Sequence, residues 1–97
     1  MESRVAVHHM ERSQEELALL RDIAAGNGQA LERLYSRFGS ALLSYLMAWL
    51  GDRQQAEEVL QDVMLAVWDH AGEFRGESSV YTWLLVIARN RAMNAQR

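Results

Sequence analysis

The chain has 97 residues, of which 49% are hydrophobic, and carries a net charge of −3; it is long enough for one compact core and too apolar for an intrinsically disordered segment. Cysteine is absent, which excludes disulfides, thiolate metal sites and cysteine nucleophiles. No apolar run approaches the roughly 20 residues that cross a membrane, and the N-terminus has no signal-peptide pattern, so a soluble, cytoplasmic setting without membrane insertion is expected.

Proline is also absent and the six glycines fall at few points, the punctuation of helices joined by short turns. Residues 1–12 carry no apolar period and read as a flexible tail, with His8 and His9 solvated. Ser13 and Glu16 have the spacing of a capping box, and Leu17, Leu20, Ile23 and Ala24 follow at helical spacing. Gly26-Asn27-Gly28 ends this first helix. The spacing predicts a second helix from Gly28 to Leu50, with Leu31, Leu34, Tyr35, Phe38, Leu42, Tyr45, Leu46 and Trp49 as one apolar stripe. Gly51 stops it. Asp52, with Gln55 in the capping-box position, starts a third helix that runs to His70 or Ala71. Its Ala56, Leu60, Val63, Met64 and Val67 point one way, into the core, while Glu58, Gln61, Asp62, Leu65 and Asp69 project from the opposite side. A loop, Gly72 to Glu77, leads to Ser78 as the expected cap of a fourth helix, whose buried stripe is Val80, Leu84, Ile87, Ala88 and Ala95. With no β signal, the fold class is all-α, a compact bundle of three to four helices.

No catalytic constellation assembles from these residues. His70 lies at a helix end, where it is expected to meet the terminal carbonyls. There is no glycine-rich phosphate loop, HExxH or calcium loop, so neither an enzyme nor a cofactor or metal site is expected. The charge is divided instead: Met1 to Phe74 holds six Arg against twelve acidic residues, whereas Arg75 to Arg97 holds four Arg against Glu77 alone. An acidic body and a basic C-terminal segment suggest two partners on two surfaces. All ten basic residues are arginine, the side chain suited to phosphates and base edges. Phe74, Arg75, Tyr81 and Trp83, beside Arg89 and Arg91, set aromatic faces next to cations, which is what binding of unstacked single-stranded bases requires. Phe74 reads as a core plug. Trp83, off the buried stripe and in line with Val86 and Asn90, reads as a stacking surface. On the third helix, Leu65 amid Glu58, Gln61 and Asp62 reads either as an apolar anchor for a basic helical partner or as a solvated face with one stray leucine.

The run from Ala56 to Ala92 resembles region 2 of a bacterial RNA polymerase sigma factor of the extracytoplasmic-function (group 4) kind: an acidic-Gln-acidic helix, the Phe74-Arg75-Gly76 loop, and a Trp83-Leu84 helix that ends in Ile87-Ala88-Arg89-Asn90. Gly26-Asn27-Gly28 followed by Ala30 to Tyr35 is similar to that family's entry into its long helix. The resemblance implies a promoter-specificity domain over residues 13–97. Glu58, Gln61, Asp62 and Leu65 fall where the family meets the arginine-rich β′ clamp helices of the polymerase core. Phe74, Arg75, Gly76, Ser78 and Ser79 fall where it captures a flipped base of the minus-ten element on the non-template strand. Tyr81, Trp83, Arg89, Asn90 and Arg91 fall on the helix that helps to melt that element. An anti-sigma factor that covers these surfaces is an implied partner.

Three departures stand beside the resemblance. Leu85 and Val86 replace an aromatic and a basic residue, which removes one phosphate contact, and Met64 stands at a core position where Phe is common. The family's second domain, which reads the minus-thirty-five element, does not follow Arg97, so the chain is expected to be the N-terminal domain of a longer protein. The alternatives left open are a sigma-mimic domain that binds an anti-sigma factor without DNA, and a helical interaction module unrelated to transcription.

Overall fold

The computed structural model describes the backbone of residues 2–96 and the side chains of residues 11–96. Four α-helices are present: α1 (Glu2–Ala24), α2 (Gly28–Leu50), α3 (Arg53–His70) and α4 (Val80–Ala95), with a 3-10 turn at Ala71–Glu73. There is no strand among the described residues. The all-α expectation holds, and α2 and α3 occupy the expected spans.

The turns follow from short polar side chains placed at free helix ends. Asn27 accepts from the amides of Gln29 and Ala30, at 2.9 and 3.3 Å, and so starts α2. Gly51 ends α2 in the left-handed region (φ 70°), its amide donating to the Met47 carbonyl at 2.8 Å, and a side chain there would be strained. Asp52 then accepts from the Gln54 amide at 3.2 Å and starts α3. The cap of α4 is Ser79, one residue later than expected: its hydroxyl accepts from the Thr82 amide at 3.1 Å. Two adjacent serines offer the same chemistry, and the register that buries Val80, Leu84 and Ala88 selects the second.

The first helix differs from expectation. It begins at Glu2, where a flexible tail was expected through residue 12, and Ser13 lies inside it. Apolar periodicity marks burial rather than helicity, and nothing before Gly26 breaks a helix, so an unpatterned stretch can continue one. The side chains of His8 and His9 lie outside the described residues.

The core sits where α2, α3 and α4 meet, closed on a further side by α1. Leu34, Leu42 and Leu46 of α2, Val63 and Val67 of α3, Leu84 and Ala88 of α4, and Leu20 and Ile23 of α1 are all buried. All five core positions read from the α3 sequence are buried, joined by Val59 and Ala66. In α2 the stripe is narrower than expected. Tyr35 is 50% exposed because it lies one position round from Leu34, and its ring rests over Gly39, whose added Cβ would meet it at 3.4 Å. Trp49 is also largely outside the core, as is Ala24 of α1. In α4, Ala92 joins the buried set, while Ile87 and Ala95 are half-buried.

Candidate functional site

Seven residues of α3 point into the core, which fixes the helix and leaves its opposite side to solvent. That side presents Glu58, Gln61, Asp62 and Leu65, all exposed; at 64%, Leu65 is the most exposed large hydrophobic side chain among the described residues. Arg53 donates to Glu57 at 2.9 Å, but Glu58 and Asp62 make no ion pair among the described residues. They stand four residues apart, where like charges repel along a helix, so the face gains from a cationic partner. Trp68, three residues beyond Leu65 and 38% exposed, extends the apolar part of this side. The sequence reading missed it; its spacing from Leu65 and Gln61 is the signal that could have found it.

The basic segment is divided between two clefts. One, of about 440 Å³, lies between α1 and the loop: Ser13, Gln14, Glu16 and Leu17 face Phe74, Gly76, Ser78, Ser79 and Val80. The other, of about 290 Å³, lies between the end of α3 and α4 and is lined by Ala66, His70, Glu73, Trp83, Ile87, Asn90 and Arg91. The wall between them is aromatic. The Phe74 ring meets Trp83 edge to face, with centroids 5.5 Å apart and planes at 65°, and both rings pack on the core. Phe74 is half-buried, packed against the core while one side of it lines the first cleft. Trp83 is half-buried rather than a free stacking platform, because Phe74 and the core take up part of its ring surface.

Arg75 and Arg89 are exposed and line neither cleft. Gly76 adopts φ 75°, a left-handed turn with no side chain nearby, so the loop's path and not a steric limit calls for glycine. Two hydroxyls of the loop are engaged: Ser79 caps α4, and Ser78 donates to the Ser79 carbonyl at 3.1 Å.

Tyr81 is not brought to this surface. It stacks on Phe38 of α2, with centroids 5.7 Å apart and planes at 18°, and lines a separate depression with Glu11, Arg12, Glu15, Glu16 and Arg37. It lies two residues before Trp83, and on a helix that spacing turns the two side chains apart. His70 pairs with the Glu73 carboxylate rather than with helix carbonyls, because the 3-10 turn folds Glu73 back beside it. Among the described residues no group of His, Asp and Glu could hold a metal ion, and no helix is long and apolar enough to cross a membrane.

An acidic helix face with an apolar centre thus adjoins a loop and helix that carry arginines, aromatics and small polar groups. The profile described as Sigma-70 region 2 matches residues 34–97. The chain belongs to that family. Among curated proteins, this sigma region 2 domain is similar to the ECF RNA polymerase sigma factor RpoE of Cereibacter sphaeroides, with 37% identity over 83 residues, 84% of this chain and 46% of that protein. It is 30% identical over 83 residues to the ECF RNA polymerase sigma factor SigL of Mycobacterium tuberculosis, again 84% of this chain and 46% of the relative. The RNA polymerase sigma-H factor of Pseudomonas aeruginosa is 29% identical over 85 residues, 88% of this chain and 44% of that protein. The region 2 domain therefore spans just under half the length of these relatives, and its kinship is with sigma factors of the extracytoplasmic-function kind.

Proposed function

We propose that this region 2 domain docks on the β′ clamp helices of RNA polymerase through Glu58, Gln61, Asp62 and Leu65, and captures and helps to open the promoter minus-ten element through the loop and α4. The observation that carries the reading is the exposure of Leu65 at the centre of an acidic face that is otherwise unpaired. A basic coiled coil satisfies both properties, covering the leucine and neutralising Glu58 and Asp62. Phe74, Arg75, Gly76, Ser78 and Ser79 then form the capture loop, with Arg75 on phosphate. Trp83, Asn90 and Arg91 follow the strand along the α3–α4 groove, with Arg89 at its rim. Tyr81 supports α4 through Phe38 rather than meeting DNA.

Capture of a base that has left the stack lets recognition and strand opening be one event, because pocket contacts offset the unpairing cost. The work is binding, not catalysis, and takes place where the polymerase is, in the cytoplasm. An anti-sigma factor covering the α3 face or the α4 surface would hold the domain inactive.

The test is a titration of the domain against a purified β′ clamp-helix fragment at moderate salt. Saturable binding that is lost in Asp62→Arg supports the reading; a folded domain that does not bind refutes it. A second reading, a sigma mimic that binds only an anti-sigma factor, is favoured by Val86, which is 53% exposed on α4 where the family carries a basic side chain.

A further inference from the structure

The cleft between α1 and the loop has about 440 Å³, inside the 300–1,000 Å³ range of small-ligand sites. Leu17, Phe74 and Val80 give it apolar walls. The Ser78 and Ser79 hydroxyls on the loop side are engaged with backbone, so the polar groups left to read a ligand come from α1: Ser13, Gln14 and Glu16. Glu16 is the one acidic residue among the described residues that is not exposed; its side chain retains 13% of its accessible surface. Arg37 holds it in place, meeting Oε2 at 3.5 Å while also taking Glu15 at 3.1 Å, which leaves Glu16 Oε1 for another donor.

We propose that Glu16 is a base-selecting residue: its carboxylate is the acceptor in this cleft, admitting a base with an exocyclic amino group and rejecting one that presents a carbonyl in its place. The inference rests on the base-capture reading above. A carboxylate only accepts hydrogen bonds. It pairs with the N4 amino group of cytosine, whereas the O4 of thymine or uracil would set lone pair against lone pair. The same charge repels phosphate, so a nucleotide enters base first and its backbone stays at the rim with exposed Arg75. Glu16 precedes the stretch that the family profile matches, and its position is set by α1 folding across the loop.

The experiment measures binding of the full chain to short fluorescein-labelled single strands, oligo(dC), oligo(dU) and oligo(N4,N4-dimethyl-dC), at low salt and mildly alkaline pH. The expected result is oligo(dC) tighter than oligo(dU) by at least about fivefold, with the dimethylated strand falling to the oligo(dU) level. Glu16→Gln should bring the dC-to-dU ratio close to one, while Arg75→Ala weakens both strands and preserves the ratio. A ratio near one in the native chain, or a ratio unchanged in Glu16→Gln, overturns the inference; if Arg75→Ala still weakens binding, base capture stands. If Arg75→Ala alters neither strand, the capture reading fails and the inference falls with it. Should Glu16→Gln not fold, the dimethylated strand decides the matter on the unaltered protein.

Discussion

Truncating Leu65 separates docking from folding more cleanly than any other change on the α3 face. The side chain is 64% exposed, so the fold already hides about a third of it and a partner can hide the rest. Full burial of a leucine stabilises by about 1.5–3 kcal/mol, so docking gains about 1–2 kcal/mol from this residue. Leu65→Ala should therefore weaken binding to the clamp-helix fragment by roughly 5- to 30-fold. In the free domain Leu65 lies outside the core cluster, so the same change should alter stability by less than about 0.5 kcal/mol. Alanine also has the highest helix propensity, so α3 itself gains slightly. The assay is a pair of measurements on each protein: a calorimetric titration with the fragment and a thermal melt. Equal affinity for native and Leu65→Ala at equal melting temperature would refute the placement of the partner on this face. A fall in melting temperature that matches the loss of affinity would refute the claim that the leucine is free in the folded domain.

Three further outcomes follow from the packing. Trp83→Ala removes a half-buried ring and its contact with Phe74 and should cost about 1.5–2.5 kcal/mol, roughly half the value for a fully buried aromatic; a melt that does not shift would show that Trp83 is unsupported, and Trp83→Phe should recover most of the loss. Ser79→Ala deletes the α4 cap and should cost about 1 kcal/mol, lowering the melting temperature by roughly 4–8 °C, whereas Ser78→Ala should leave it nearly unchanged. Gly39→Ala should stabilise the domain by about 0.5–1 kcal/mol, because the nearest atoms to the new methyl belong to the exposed ring of Tyr35, which can move; a destabilised variant would mean that the ring is fixed where it lies.

The helices α2 and α3 were legible because their signals agree. A Gly-Asn-Gly turn, a Gly51-Asp52 stop and start, and uninterrupted 3.6-residue patterns all point to the same limits. The α3 face was legible for the same reason, since a helix with one apolar side must show the other to solvent. What escaped depends on contacts between elements. Nothing local distinguishes Ser78 from Ser79 as a cap; the burial of Val80 does. Helical spacing says that Tyr81 and Trp83 diverge, but only the position of α2 shows that Tyr81 ends on Phe38. Glu16 looked like half of a capping box, and the helix running on to Glu2 freed it to face the loop instead. The starting point of α1 was missed because apolar periodicity marks a buried face, and a stretch without that period can still be helical.

Under the proposed function, the departure at Val86 has a physical consequence. An exposed valine on α4 removes one cation from a surface that carries Arg89 and Arg91, and each lost phosphate contact lowers both affinity and its dependence on salt. The free domain should accordingly bind a promoter strand weakly. The α3 helix changes that balance, because it serves both surfaces: its outer side carries Leu65 and Asp62, while Ala66 and His70, nearer its end, line the groove that holds Asn90 and Arg91. A helix held by seven buried residues cannot turn one side without the other. Docking on the polymerase would therefore fix the groove and the capture loop beside the DNA that the enzyme already holds, and raise the effective concentration of the strand to the millimolar range that tethered sites reach. A weak intrinsic contact then becomes an advantage. Promoter capture is strengthened by prior attachment to the enzyme, and the free domain occupies single strands only at high concentration or low salt.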